Sequence, residues 1–161
     1  MFKRILVAVD ASDTSGLALE TALGLAAEAN AALRIVHAVD VSNVNLGAEY
    51  LDYPQVSESL VKNGRDILAT AQARAATAGC EADTGLVVID SLGQRLPEAI
   101  VSDADAWAAD LIVIGTHGRR GLSRLFLGSI AEGVVRVASQ PVLLVKEKDR
   151  DKDAGRAAAA M

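Results

Sequence analysis

The hydrophobic residues of this chain are concentrated in five short runs that do not alternate with polar residues. Val, Ile and Leu dominate the runs, as is typical of strands that are buried on both faces of a parallel sheet. The runs are Ile5–Val9, Leu33–Val39, Leu86–Ile89, Leu111–Ile114 and Val142–Val145. The pattern therefore predicts five buried β-strands.

The segments between these runs carry apolar residues at helical spacing. Four stripes can be followed, and they begin at Leu19, Leu60, Ile100 and Ile130. Strands that alternate with helices predict an α/β fold, in which helices cover both faces of a parallel sheet through right-handed crossovers. The single tryptophan, Trp107, falls in the third stripe and is expected in the core.

Residues that are typical of helix ends support these boundaries. Ser12 or Asp13 can cap the first helix, and Ser129 can cap the last. Pro97 suits the first turn of the third helix, and Gly79 suits the position that follows the end of the second.

The chain is long enough for one domain with a short extension. Residues 1–146 are predicted to form that domain, and the charged, alanine-rich residues 147–161 are expected to form a disordered tail. The segment Asp40–Gln55 is a long connection, and its length suggests a mobile lid or a partly disordered loop. Since 51% of the 161 residues are hydrophobic, the domain can bury a sizeable core.

Charge and cysteine content exclude several classes of protein. The net charge of −5 disfavours non-specific binding to nucleic acids, which depends on neutralising phosphates. The single cysteine, Cys80, excludes an intrachain disulfide and is expected to serve as a small hydrophobic residue near a helix end. No apolar stretch approaches the ~20 residues that a membrane span needs. We therefore expect no membrane insertion and a cytoplasmic location.

The residues that follow the first and fourth predicted strands suggest a ligand site. In an open parallel sheet, ligands bind beyond the carboxyl ends of the strands, where the winding reverses. The first strand ends in Asp10-Ala11-Ser12. The fourth ends in Gly115-Thr116-His117-Gly118, and the loop after it reaches Gly128-Ser129 at the start of the last helix. The glycine spacing matches neither a Walker A loop nor the G-x-G-x-x-G fingerprint.

This spacing of glycines suits a polyphosphate. Glycines let backbone N–H groups approach phosphates closely, and a helix N-terminus offers further N–H groups and a positive dipole end. Here those groups belong to Ser129, Ile130 and Ala131. Asp10 could accept hydrogen bonds from a ribose or hold a metal-bound water. Each glycine could instead serve only a turn or a helix cap, so the spacing alone leaves both interpretations open.

Four segments resemble universal stress proteins. They are residues 4–12 (RILVAVDAS), 109–121 (ADLIVIGTHGRRG), 127–131 (LGSIA) and 141–145 (PVLLV). The resemblance covers roughly residues 1–146. It implies a five-stranded, Rossmann-like parallel sheet in the order 3-2-1-4-5, and it places the chain in the ATP-binding branch, which keeps these glycines.

The resemblance also assigns roles to individual residues. It implies that Asp10 meets the ribose of ATP, that the backbone near Ala38 meets adenine, and that Gly115 lines the ribose and phosphate path. The phosphates would be held by Gly118, Gly128, Ser129, Ile130 and Ala131. Ala11 and Ala131 lack the polar side chains that some ATP-binding members carry, which leaves a Mg²⁺ ion and the γ-phosphate contacts open. The resemblance further implies a homodimer through the edge strand Val142–Val145, which carries no charge.

Three functions remain in view. The first is a nucleotide-responsive regulator or sensor in a stress response, which would act on a protein partner. The second is a slow ATPase or a phosphorylated protein. Hydrolysis would be slow because the sequence shows no catalytic set of residues. His37 is expected to be packed in a strand, and His117 has no evident role as a base. The third is a response-regulator receiver domain, since Asp10 and Asp90 both end predicted strands. It ranks behind the others because a receiver has no need of the glycines.

Overall fold

The computed structural model describes residues 1–42, 53–117 and 127–147 of the chain. Strands and helices alternate along it, as predicted. In chain order the elements are β1 (Arg4–Ala8), α1 (Asp13–Ala29), β2 (Ala32–Asp40), α2 (Tyr53–Thr77), β3 (Ala82–Ile89), α3 (Leu96–Ala106), β4 (Leu111–Gly115), α4 (Ser129–Val137) and β5 (Val142–Val145). The expected connection 40–55 is shortened at both ends by β2 and α2. Residues 43–52 of this connection and most of the predicted tail lie outside the described residues.

The five strands form one parallel sheet in the order β3-β2-β1-β4-β5. The central strand, β1, pairs with β2 on one side and with β4 on the other, so that Val7 stands opposite both Ile35 and Val113. The winding reverses between β1 and β4, whose carboxyl ends emerge side by side. The predicted fold and strand order are therefore confirmed.

Two hydrophobic layers lie on the two faces of the sheet. Ile5 and Val7 of β1 pack with α1 and α2, whereas Leu6 of the same strand packs with α3 and α4. All three side chains are fully buried. This two-sided burial explains why the strand sequences show no alternation of polar and apolar residues.

The helix ends follow most of the predicted signals. The Ser12 hydroxyl caps α1 by accepting a 3.2 Å hydrogen bond from the Ser15 N–H. Pro97 lies in the first turn of α3, and Gly79 follows α2 with a left-handed φ of 75°.

The predicted cap of the last helix was wrong. Gly128 is the N-cap of α4, and Ser129 is already the first helical residue. The physical reason is the 2.7 Å hydrogen bond from the Gly128 N–H to the Thr116 carbonyl oxygen, which holds Gly128 in an extended conformation next to β4.

Trp107 lies at the amino end of the sheet, away from the strand ends that suggested a site. It is partly buried and packs against the layer of α3 and α4, as expected of a core residue. The Arg4 guanidinium lies 4.0 Å from the centre of its ring, and Arg4 Nε donates a 2.8 Å hydrogen bond to the Trp107 carbonyl oxygen. These contacts give the tryptophan a structural role.

Candidate functional site

The candidate site lies at the carboxyl ends of β1 and β4. Ala8 of β1 is paired with Ile114 of β4, so the chain leaves both strands at the same height. Asp10 follows β1 two residues after its end, and Gly115 is the last residue of β4. The parallel pairing therefore brings together the two segments that the sequence singled out.

Asp10 is held in a fixed orientation by the loop that leads into α1. Its Oδ1 atom accepts a 2.9 Å hydrogen bond from the Ser12 N–H, and its own N–H donates to Ser15 Oγ at 3.0 Å. Between them Ala11 adopts a left-handed φ of 65°, which is unfavourable for a residue with a Cβ atom. The loop therefore keeps a half-buried carboxylate at the sheet edge at some conformational cost.

The hydroxyl groups at the start of α1 are used within the protein. The buried Thr14 hydroxyl donates to the carbonyl oxygen of His117, and the Ser12 hydroxyl is 3.5 Å from the same oxygen. These contacts tie the chain after β4 to the first turn of α1. Their effect is to fix the spacing between the Asp10 loop and the residues that follow β4.

Gly115 has a packing reason that the sequence did not reveal. A Cβ atom at this position would lie 2.9 Å from the carbonyl carbon of Thr14 and 3.1 Å from the Ser15 nitrogen. The missing side chain therefore faces α1, on the opposite face of the sheet from α4. The need for glycine here is explained by close packing, while the backbone of Gly115 still lies at the candidate site.

The N-terminus of α4 offers several backbone donors. Unlike α1, it has no side-chain cap. The Gly128 carbonyl oxygen accepts the Glu132 N–H at 2.9 Å, whereas the N–H groups of Ser129, Ile130 and Ala131 have no acceptor among the described residues. Three donors at the positive end of a helix dipole suit an anion such as a phosphate group.

Ala38 lies on the neighbouring strand, level with Asp10. The Val9 N–H donates to the Val36 carbonyl oxygen at 2.9 Å, so Ala38 is placed two residues further along β2, beside the Asp10 loop. Its half-buried side chain belongs to the layer of α3 and α4, the same side of the sheet as the N-terminal N–H groups of α4. Asp10, Ala38 and the N-terminus of α4 thus lie around the carboxyl ends of β1, β2 and β4.

The two histidines differ in their surroundings. His37 is buried on the α2 side, with Nδ1 2.6 Å from the Val9 carbonyl oxygen, which confirms that it is a packed residue with a satisfied ring. His117 Nδ1 is 2.9 Å from Thr116 Oγ1, while its buried Nε2 atom has no partner within the part of the chain that the structure describes. His117 thus has a hydroxyl beside it, but no described group on its other ring nitrogen orients the imidazole as in a catalytic triad.

Gly118 lies outside the described residues, so its predicted phosphate contact stays a prediction. Arg119, Arg120 and Arg124, which add positive charge to the same loop in the sequence, also lie outside the described residues. Among the described residues, no three His, Cys, Asp or Glu side chains come together as a metal site. Nor does this part of the chain contain a helix that combines the length and the apolar character needed to cross a bilayer.

A groove of about 1140 Å³ lies on the other face, against α1 and α2. It shares Ala11 and Ser12 with the candidate site, but its walls include Thr70 and Arg74 and none of the α4 residues. Arg74 is engaged there in a 2.6 Å ion pair with Glu20. We place the candidate site at the α4 N-terminus and not in this groove, because no side chain caps the backbone donors of α4, whereas the Ser12 side chain caps α1 beside the groove.

Sheet order excludes the receiver interpretation. A receiver domain has its phosphorylated aspartate on a strand adjacent to its acidic pair, as in the flavodoxin-like order 2-1-3-4-5. Here β2 lies between β1 and β3, so it separates Asp10 from Asp90. The two carboxylates therefore cannot share one metal ion and phosphoryl group.

Comparison with known proteins agrees with this geometry. A model of the universal stress protein family matches residues 1–146. A universal stress protein of Methanocaldococcus jannaschii is 35% identical over 153 residues, which cover 94% of this chain and 86% of that protein. A universal stress protein solved in complex with cAMP is 30% identical, with a TM-score of 0.63 over 90% of this chain and 97% of its own. The protein of Archaeoglobus fulgidus solved in complex with dAMP is 26% identical, with a TM-score of 0.63 over 89% and 98%.

Proposed function

This chain belongs to the universal stress protein family, and on that premise we propose that it binds an adenine nucleotide, ATP in the first place, and acts as a nucleotide-responsive regulator. The observation that carries the proposal is the row of N–H groups at the start of α4 that have no acceptor among the described residues, at the same end of the sheet as the Asp10 carboxylate. Two related proteins were solved with adenine monophosphates, namely cAMP and dAMP. The expected cytoplasmic location and protein partner stay predictions.

Each part of the nucleotide has a group of matching chemistry. The phosphates would accept hydrogen bonds from the N–H groups of Ser129, Ile130 and Ala131, beside Gly128. The ribose hydroxyls would donate to the Asp10 carboxylate, and adenine would pair with the backbone near Ala38. Any accompanying Mg²⁺ ion would be held chiefly by phosphates and water, because the described residues supply no cluster of metal ligands.

A regulator fits this site better than a metabolic enzyme. Binding here would rely on backbone groups and one carboxylate, and the described residues include no nucleophile with an oriented base beside it. Nucleotide occupancy would act instead by stabilising one arrangement of the strand ends over another, which requires different affinities for the two arrangements. Hydrolysis of ATP, if measured, should be slow.

The proposal is tested first by identifying, by mass spectrometry after denaturation, any nucleotide that the purified protein retains. Calorimetric titration with ATP, ADP, AMP and adenosine then ranks the contribution of each phosphate. We expect measurable affinity for ATP and weaker affinity for adenosine. The absence of ATP binding up to millimolar concentration would refute the proposal.

A pair of substitutions at one position isolates the backbone donors. Ser129→Ala removes the hydroxyl and keeps the N–H, whereas Ser129→Pro removes both and suits the first position of a helix. Proline is tolerated there because Gly128 has an extended backbone, with φ −61° and ψ 148°. We expect Ser129→Pro to bind ATP about tenfold to a hundredfold more weakly than Ser129→Ala, since a hydrogen bond to a charged group contributes about 1.5–3 kcal/mol. Adenosine affinity should be the same in both.

The resemblance to the family extends the proposal to a homodimer through β5. This strand is an edge of the sheet, and Leu143 and Leu144 are 37% and 36% exposed on it. Val135 and Val137 of the neighbouring α4 are exposed as well. An uncharged strand edge with apolar residues around it favours pairing with a second copy of the same strand.

A further inference from the structure

The packing of α4 against α3 depends on one glycine. A Cβ atom on Gly133 would lie 2.7 Å from Cβ of Pro97 and still closer to its Cγ atom. Real Cβ atoms are not found so close to other carbons, so the two helices can approach in this way only because Gly133 has no side chain. Glycine is otherwise unfavourable in the interior of a helix, which indicates that the contact is the reason for it.

Pro97 is a rigid partner for this contact. It is buried in the first turn of α3, where its missing N–H costs nothing. Its ring is closed on the backbone and cannot turn aside, in contrast to Ile100 and Val101 of the same helix, which can change rotamer. The ring of Pro97 therefore acts as a fixed stop against the backbone of α4.

The stop lies close to the proposed phosphate site. Gly133 comes four residues after Ser129, so one helical turn separates the contact from the first free N–H group. Because a helix moves as a rigid unit over so short a distance, a shift at Gly133 is passed on to Ser129, Ile130 and Ala131. Hydrogen bonds weaken when the donor–acceptor distance grows by a few tenths of an ångström or when the bond bends away from a straight line.

We propose that Pro97 and Gly133 are positioning residues for nucleotide binding: their contact sets the place of α4 so that its N–H groups meet the phosphates. The inference rests on the proposed function. It concerns the phosphates only, because adenine and ribose are assigned to the backbone of β2 and to the β1–α1 loop, and not to α4.

The test is a double-mutant cycle with two ligands, ATP and adenosine, measured by calorimetry. Gly133→Ala pushes α4 away from Pro97, and we expect ATP to bind about tenfold more weakly while adenosine binds as before. Pro97→Ala removes the stop, and we expect about threefold weaker binding of ATP. In the double variant the Cγ atom of the ring is gone, but Cβ of residue 97 still lies 2.7 Å from the new Cβ atom, so we expect ATP affinity to recover only in part.

Gly24→Ala is the matched control. Gly24 is also a helix glycine, but it lies on the exposed side of α1 and a Cβ atom there would meet nothing within 4 Å. Its substitution should leave both affinities unchanged. Circular dichroism verifies that each variant is folded, and Pro97→Ala carries the test alone if Gly133→Ala does not fold.

The outcomes separate this inference from the function on which it rests. If the unchanged protein does not bind ATP, the proposed function fails and the inference fails with it. If it binds ATP and the folded variants bind ATP equally well, only the inference is overturned. Equal losses for ATP and adenosine would also overturn it, because they would indicate a general loss of structure.

Discussion

The carboxyl end of β4 approaches the first turn of α1 so closely that a Cβ atom on Gly115 would lie 2.9 Å from the carbonyl carbon of Thr14. The three nearest atoms to the missing side chain belong to the backbone of Thr14 and Ser15, and they cannot rotate away. We therefore expect Gly115→Ala to lower the free energy of unfolding by about 1–3 kcal/mol. Urea denaturation monitored by circular dichroism measures this change.

Gly24→Ala provides the comparison for Gly115→Ala. With open space around it in α1, alanine at position 24 should raise the free energy of unfolding by up to about 1 kcal/mol through its better helix propensity. If Gly115→Ala proved neutral or stabilising under the same conditions, this result would contradict the close packing of β4 against α1.

The glycines of the candidate site show how far sequence reasoning reaches. Their spacing pointed to the carboxyl ends of β1 and β4, which lie side by side in the structure, because strand ends can be located from the apolar runs. It could not separate their roles. Gly115 is needed for packing against α1, and Gly128 is the N-cap of α4. Gly133 is not among the predicted site residues, since nothing along the chain shows that Pro97 lies against it.

The start of β3 illustrates the same limit. The apolar run predicted a strand from Leu86, whereas β3 begins at Ala82. The additional residues are polar or small, and they are held as a strand by pairing with β2, where Leu33 stands opposite Ala82. Arg34 of β2 also forms an ion pair with Asp83. Such pairing between distant segments is a tertiary effect that periodicity does not reveal.

The ends of α2 and α3 give a second matched pair of predictions. Both helices end in the same hydrogen-bond pattern, with Gly79 at φ 75° in one and Ala108 at φ 56° in the other. A left-handed conformation costs a residue with a Cβ atom roughly 1 kcal/mol. We expect Ala108→Gly to stabilise the protein by about 0.5–1 kcal/mol and Gly79→Ala to destabilise it by about 1 kcal/mol.

Thermal and urea unfolding of the two single variants test this pair. The opposite signs matter more than the sizes, because a general effect of flexibility in glycine variants would not reverse between the two positions. Loss of stability in Ala108→Gly would contradict the assigned backbone conformation at the end of α3.

Cys80 makes the stability of the protein depend on pH. Burial raises the pKa of its thiol above the ordinary value of 9.0, because the partial loss of contact with water disfavours the charged thiolate. The folded protein thus holds this proton more firmly than the unfolded chain. The stabilisation from the neutral thiol is complete below the unfolded pKa and is lost as the pH rises through the folded pKa.

Cys80→Ala isolates this effect, because all other titrating groups are the same in both proteins. We expect the difference in unfolding free energy between the unchanged protein and the variant to be constant below about pH 8 and to move in favour of the variant above about pH 9. A difference that did not change between pH 7 and pH 10.5 would show that the thiol has the same pKa in both states.

The β5 edge allows a sharp test of self-association. Leu144 on β5 and Leu60 on α2 are both 36% exposed, so Leu144→Lys and Leu60→Lys change similar surfaces at different places. In a dimer that pairs β5 with its copy, a two-fold axis brings two lysines at position 144 close together and removes them from water. Such like-charge contacts cost several kcal/mol, so we expect the dimer to dissociate at least about a hundredfold more readily in Leu144→Lys. Leu60→Lys should have no effect. Sedimentation velocity over micromolar concentrations measures both, and a strictly monomeric unchanged protein would rule out the β5 dimer.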